Sequence, residues 1–90
     1  MMFTFIAIMI KYIFNSNMQE FEVTYHGIIS TNIKKLRTQA KLSQEALAEK
    51  LSCSREFISR VENKKERISL NMMFKIARIF NINPSSLLQA

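Results

Sequence analysis

The chain has 90 residues, is 48% hydrophobic, and carries a net charge of +6 from 13 Lys and Arg against 7 Asp and Glu. That length supports one small domain rather than two, and the apolar content excludes a disordered polar chain. One Gly and one Pro are too few for a strand-rich fold full of turns, one Cys (Cys53) rules out an intrachain disulfide framework, and one His leaves no zinc-type cluster.

Residues 1–14, MMFTFIAIMIKYIF, are almost wholly apolar, with Thr4 and Lys11 as exceptions. The run is shorter than the roughly 20 residues of a spanning helix. No basic residue precedes it and no small-residue cleavage site follows, as a secretory signal requires. Three readings stay open: packing on the chain's own domain or on a dimer partner, a true translation start at Met18, or a membrane-surface anchor. The last is the least expected, because an interfacial helix needs a polar face. Residues 15–27 read as a connection, opening on the turn-type cluster Asn15-Ser16-Asn17. Phe21, Val23 and Tyr25 alternate with polar residues, which suits a short strand or an extended lead-in. The expected division is therefore an N-terminal extension over 1–27 and a helical domain over 28–90.

The charge follows that division. Residues 1–27 carry a net −1, and residues 28–90, with twelve basic and five acidic side chains, carry +7. A basic helical domain points to a polyanion, either nucleic acid or an acidic membrane surface.

Five helices are expected from Ile28 onward. Ile29, Ile33, Leu36 and Ala40 mark one face of the first. Ser43 is an N-cap for the second, with Glu45 near its positive end and Leu47, Ala48 and Leu51 on one side. Ser52-Cys53-Ser54 breaks the pattern, and Ser54 caps a third helix from about Arg55 to Asn63. After a charged loop, Lys64 to Arg67, Ser69 caps a fourth helix with Leu70, Met73, Ile76, Ala77 and Phe80 inward. Asn83-Pro84 opens a short last helix carrying Leu87 and Leu88 inward. Ile58 and Val61 complete the expected core. The remaining Met and Phe residues read as core or dimer contacts.

The segment Ser43 to Asn63 carries the functional signal. Two short helices cross closely where a small residue, Ala48, permits it. The turn between them is three residues long, and Ile58 and Val61 lie beneath the second helix. Arg55, Glu56, Ser59 and Arg60 face outward, as in a helix-turn-helix that presents side chains to the major groove.

Over about residues 28–89 the chain resembles the Cro/phage-repressor-like (XRE) family. The residues that carry the resemblance are Leu42-Ser43-Gln44-Glu45, Leu47-Ala48, Phe57-Ile58, Val61-Glu62-Asn63, Ser69-Leu70 and Ile76-Ala77. Ile68-Ser69-Leu70 also resembles restriction-modification controller proteins. The resemblance implies an all-α, compact five-helix phage-repressor-like DNA-binding domain, here with an N-terminal apolar extension, acting as a homodimer on double-stranded DNA. It implies a phosphate contact for Gln44, which would also brace a base-reading residue, base edges for Arg55, Glu56 and Ser59, base or phosphate for Arg60, and phosphates for Asn63 and Lys65. Ser54 and Lys64 complete the candidate DNA-binding set. Arg37 and Glu62 match a pair that forms a partly buried salt bridge. Two positions depart from the pattern: Ser52 stands where Gly is common in the turn, and Lys64 stands where Gly often follows the Glu-Asn exit. A left-handed backbone at Ser52 would carry strain.

For Arg55 and Glu56 the plain alternative is a solvated charge pair, and for Lys64, Lys65 and Arg67 a wet loop. An Arg fork on guanine and a Glu accepting from cytosine fit the motif better. Cys53 reads as a small turn residue rather than a redox sensor, and His26 as a linker residue. The sequence holds no nucleophile–base set, metal cluster or phosphate-binding glycine loop, so neither an enzyme nor a cofactor is expected. The expected function is a small cytoplasmic transcriptional regulator on an inverted-repeat operator. Ninety residues leave no room for a separate sensing domain, so control would come from concentration, dimerisation or a protein partner such as polymerase. The alternative is an antitoxin that binds its own operator and a protein toxin.

Overall fold

The structure, a computed structural model, describes residues 6–7 and 24–90. Residues 24–39 are helical (α1). They are followed by α2 (Gln44–Leu51), α3 (Arg55–Glu62), α4 (Leu70–Phe80) and a closing 3-10 turn (Pro84–Leu88). No strand occurs among the described residues. The fold is all-α, as expected, but the fifth element is a 3-10 turn rather than an α-helix. The alternation expected to form a strand fails at Thr24 and Tyr25, which are helical. A lone strand would leave its ladder groups unpaired, whereas a helix satisfies them internally. Residues 20–23 of that alternation, the Asn15-Ser16-Asn17 turn and most of the apolar run lie outside the described residues.

The caps follow the serines. Ser43 Oγ accepts from the Ala46 N–H at 3.0 Å, Ser54 Oγ from the Phe57 N–H at 3.1 Å, and Ser69 Oγ from the Met72 N–H at 3.1 Å. Each satisfies a backbone donor that the helix itself leaves open. Asn83 Oδ1 does the same for the Ser85 N–H at 3.0 Å, with Pro84 at the first position of the turn.

Helices α1, α2, α3 and α4 end in the same way, without a glycine. Lys41, Ser52, Lys64 and Asn81 adopt φ of 58°, 56°, 62° and 52°. At each, the N–H of that residue bonds three residues back. The next N–H bonds five residues back: Leu42 to Arg37, Cys53 to Ala48, Lys65 to Arg60 and Ile82 to Ala77. These are Schellman closures, which use up two otherwise open carbonyls per helix. The strain expected at Ser52 is therefore present, and it recurs at Lys64, so the exit loop keeps its glycine-like geometry with a lysine.

Ile33, Leu47, Ile58, Val61, Ile76 and Leu87 are the largest fully buried side chains, joined by Ile29, Ala48, Leu51, Met73 and Ala77. At about 1.5–3 kcal/mol for each large side chain, this core is the main favourable term holding the helices together. Leu36 and Phe80 pack on its edge. Leu70 (65%) and Leu88 (39%) are exposed, against the expectation that both face inward. Leu70 is the first residue of α4. Helical side chains slant toward the N-terminus, so Leu70 projects past the end of the helix and beyond the core. Asn32 of α1 clasps the C-terminal turn, its Nδ2 donating to the Leu87 carbonyl at 2.9 Å and to the Gln89 carbonyl at 2.8 Å.

Candidate nucleic-acid interface

The site begins at the turn between α2 and α3. Ser52 reverses the chain with left-handed φ and ψ, and Cys53 N–H closes on the Ala48 carbonyl at 2.9 Å. Ala48 is 2% exposed where the two helices pack, and Ile58 and Val61 are buried beneath α3. These contacts fix the tilt of α3 and leave Arg55 and Glu56 exposed at its N-terminal end. Ser59 is half-buried and accepts from Asn63 Nδ2 at 3.4 Å. Ser54 stands at the start of the same face with its oxygen engaged in capping.

A buried ionic clamp holds the far end of α3. Arg37 Nε donates to Glu62 Oε2 at 2.7 Å, and Arg37 Nη2 to Glu62 Oε1 at 2.9 Å. The side chains are only 12% and 2% exposed. Arg37 Nη1 also donates to the Leu42 carbonyl at 2.8 Å, so one guanidinium ties α1, the turn after it and α3 together. The hydrogen bond to Glu62 raises the Arg37 pKa from its ordinary value, burial opposes the shift, and the Glu62 charge reinforces it. Gln44 is half-buried, and its Nε2 donates to Glu62 Oε1 at 3.3 Å. Its amide therefore braces the clamp at the start of α2, a contact that sequence spacing does not reveal.

The exit loop is likewise tied down. Lys64 N–H bonds the Val61 carbonyl at 3.1 Å and Lys65 N–H the Arg60 carbonyl at 2.8 Å. Arg60 Nε donates to Glu66 Oε2 at 3.2 Å, which adds Glu66 to the residues around the site. Lys65 is exposed beside α3. Lys64 turns instead toward α1: a methyl group placed on Gly27 would lie 3.9 Å from its Cε and its Nζ. There it lines a cleft of about 510 Å³ with Thr24, Ile28, Thr31, Asn32 and Ala90. Cys53 is half-buried; burial raises its thiol pKa, and the charge of Lys75 offsets part of the rise. Among the described residues no group of His, Cys, Asp or Glu is placed to hold a metal ion.

The model of the HTH_3 family, described as helix-turn-helix, matches residues 33–87. The chain belongs to this family of DNA-binding, XRE-type transcriptional regulators. Two uncharacterised HTH-type transcriptional regulators of Archaeoglobus fulgidus are each 41% identical over 51 residues, spanning 57% of this chain and 72% and 73% of theirs. Among solved structures, a hypothetical transcription factor, NHTF from Neisseria, superposes with a TM-score of 0.68 at 28% identity, covering 72% of this chain and 75% of that one. The restriction-modification controller protein C.AhdI from Aeromonas hydrophila superposes at 0.66 with 29% identity, covering 72% of this chain and 94% of that one. No helix of the described residues is long and apolar enough to cross a membrane.

Proposed function

We propose that this regulator binds an inverted-repeat operator as a homodimer, with α3 as its recognition helix. The observation that carries the reading is the open N-terminal half of α3: Arg55 and Glu56 are exposed at the outer end of a helix whose opposite face is locked by Ile58, Val61 and the Arg37–Glu62 clamp. An Arg there can fork onto guanine O6 and N7, and a Glu can accept from cytosine N4. Ser59 and Arg60 extend the same face. Lys65 and Asn63, at the exit, take phosphates and hold the register without reading sequence. Gln44 acts mainly by bracing Glu62. Ser54 contributes through its backbone and cap, and Lys64 reaches phosphate only by leaving Gly27.

Dimerisation supplies the second half-site. Leu70 and Phe74 are one turn apart on α4 and are 65% and 47% exposed. They form an apolar strip for a second copy of the chain. Two α3 helices about 34 Å apart then enter successive major grooves. The likeness to C.AhdI supports a small regulator of the controller type. Selection of bound DNA from a random pool, followed by analytical ultracentrifugation of the complex, tests the reading. The expected result is a two-fold symmetric consensus bound by two chains. A consensus without symmetry, or one chain per site, would remove the dimeric part. Failure to select any consensus would remove the operator reading.

A further inference from the structure

Arg60 of α3 forms an ion pair with Glu66 of the exit loop. Arg60 stands on the outer side of α3, one turn after Glu56. Its Nε donates to Glu66 Oε2 at 3.2 Å, and the two side chains are 50% and 39% exposed. A pair so wet adds little to stability. The carboxylate also stands in a loop with Lys64, Lys65 and Arg67, where a negative charge opposes the approach of phosphate. Neither fold stability nor DNA affinity accounts for an acid at this position.

The loop geometry does. The bonds from Lys64 N–H to Val61 and from Lys65 N–H to Arg60 fix the exit turn, with Lys64 in the left-handed region. Glu66 follows directly on this rigid turn, which presents its carboxylate to the Arg60 side chain. Occupying Nε leaves four N–H donors on Nη1 and Nη2. A guanidinium held at Nε therefore offers its terminal fork, the end that matches guanine O6 and N7 or two phosphate oxygens.

We propose that Glu66 is a positioning residue for Arg60: it holds the guanidinium so that the fork is directed at one base pair of the half-site rather than wandering to the nearest phosphate. This rests on the reading of α3 as the recognition helix. It makes Glu66 a determinant of specificity that acts against affinity.

The test uses the full chain as wild type, Glu66→Gln, Arg60→Ala and the double variant, each put through random-pool selection and then titrated on the selected site and on random DNA at one salt concentration. Glu66→Gln should bind random DNA more tightly, by about twofold to tenfold, because one opposing charge is gone. Its preference at one base pair per half-site should fall by about fivefold or more. In the Arg60→Ala background the same change should still raise affinity for random DNA but shift no base preference. Thermal unfolding of the four proteins checks that all are folded, as expected for exposed side chains. The proposal is overturned if Glu66→Gln keeps the full base profile, if Arg60→Ala keeps it, or if Glu66→Gln alters it equally without Arg60. A wild-type protein that selects no site removes the DNA reading and this proposal with it. A wild-type protein that selects one, with Glu66→Gln unchanged, removes only the role of Glu66.

Discussion

Arg37→Met is the most demanding perturbation of the fold, because it removes one charge from a buried pair and keeps the apolar stem. Glu62 is 2% exposed at its side chain, so its carboxylate would be left with Gln44 alone. Breaking such a pair from one side costs about 3–5 kcal/mol, most of it the desolvation of the stranded charge. The bond from Arg37 Nη1 to the Leu42 carbonyl is lost as well, worth about 1.5–3 kcal/mol because the donor is charged. Against a typical total of about 5–15 kcal/mol, the variant should be severely destabilised. A loss of 3 kcal/mol corresponds to about 12–24 °C in Tm for a domain of this size. The double variant Arg37→Met/Glu62→Met should recover a large part of the loss, since no charge is then stranded. Urea and thermal unfolding followed by circular dichroism measure both. If Arg37→Met unfolds within 0.5 kcal/mol of wild type (about the spread of ordinary surface substitutions), the clamp does not hold α3 to α1.

Two further outcomes follow from the turns and the thiol. Ser52 sits at φ 56°, where a side chain costs about 1–2 kcal/mol, and glycine gives back about 0.4–1 kcal/mol through a freer unfolded chain. Ser52→Gly should therefore stabilise by about 0.5–1 kcal/mol, raising Tm by about 2–8 °C; a lower Tm would contradict the strain. Burial holds the Cys53 pKa above its ordinary value, so the folded state favours the thiol. That contribution is intact below the unfolded pKa and is lost as pH rises through the folded one. Alkylation near pH 8 should be slower in the native protein than in urea, and its rate should keep climbing above the pH at which the unfolded thiol levels off. Equal rates would contradict the burial.

Much of this domain was legible in its residues. Ser43, Ser54, Ser69 and Asn83 are found as caps because each has a short side-chain acceptor directly before a helix or turn, and that chemistry is local. The core of Ile33, Leu47, Ile58, Val61 and Ile76 follows from periodicity. The Arg37–Glu62 pair was visible only through family resemblance, since 25 positions of sequence separate its members. Periodicity failed at Leu70 and Leu88, because it gives the side of a helix and not whether a neighbour reaches that far. The last helix shortened to a 3-10 turn: it has only five residues, and Asn32 engages its final carbonyls from outside. Lys41 and Asn81 adopt left-handed backbone without the glycine that would have announced it. Glu66 carries no local signal of its role, because its partner lies around a turn whose shape no local pattern specifies.

Quantitative binding of wild type, Arg55→Ala and Lys65→Ala to the selected operator and to random DNA, each across a salt series, bears most directly on the recognition helix. Arg55→Ala should lose about 1–3 kcal/mol on the operator and little on random DNA. Lys65→Ala should weaken both alike and reduce the salt slope by about one. If Arg55→Ala leaves the ratio of operator to random binding at its wild-type value, α3 does not read this protein's DNA.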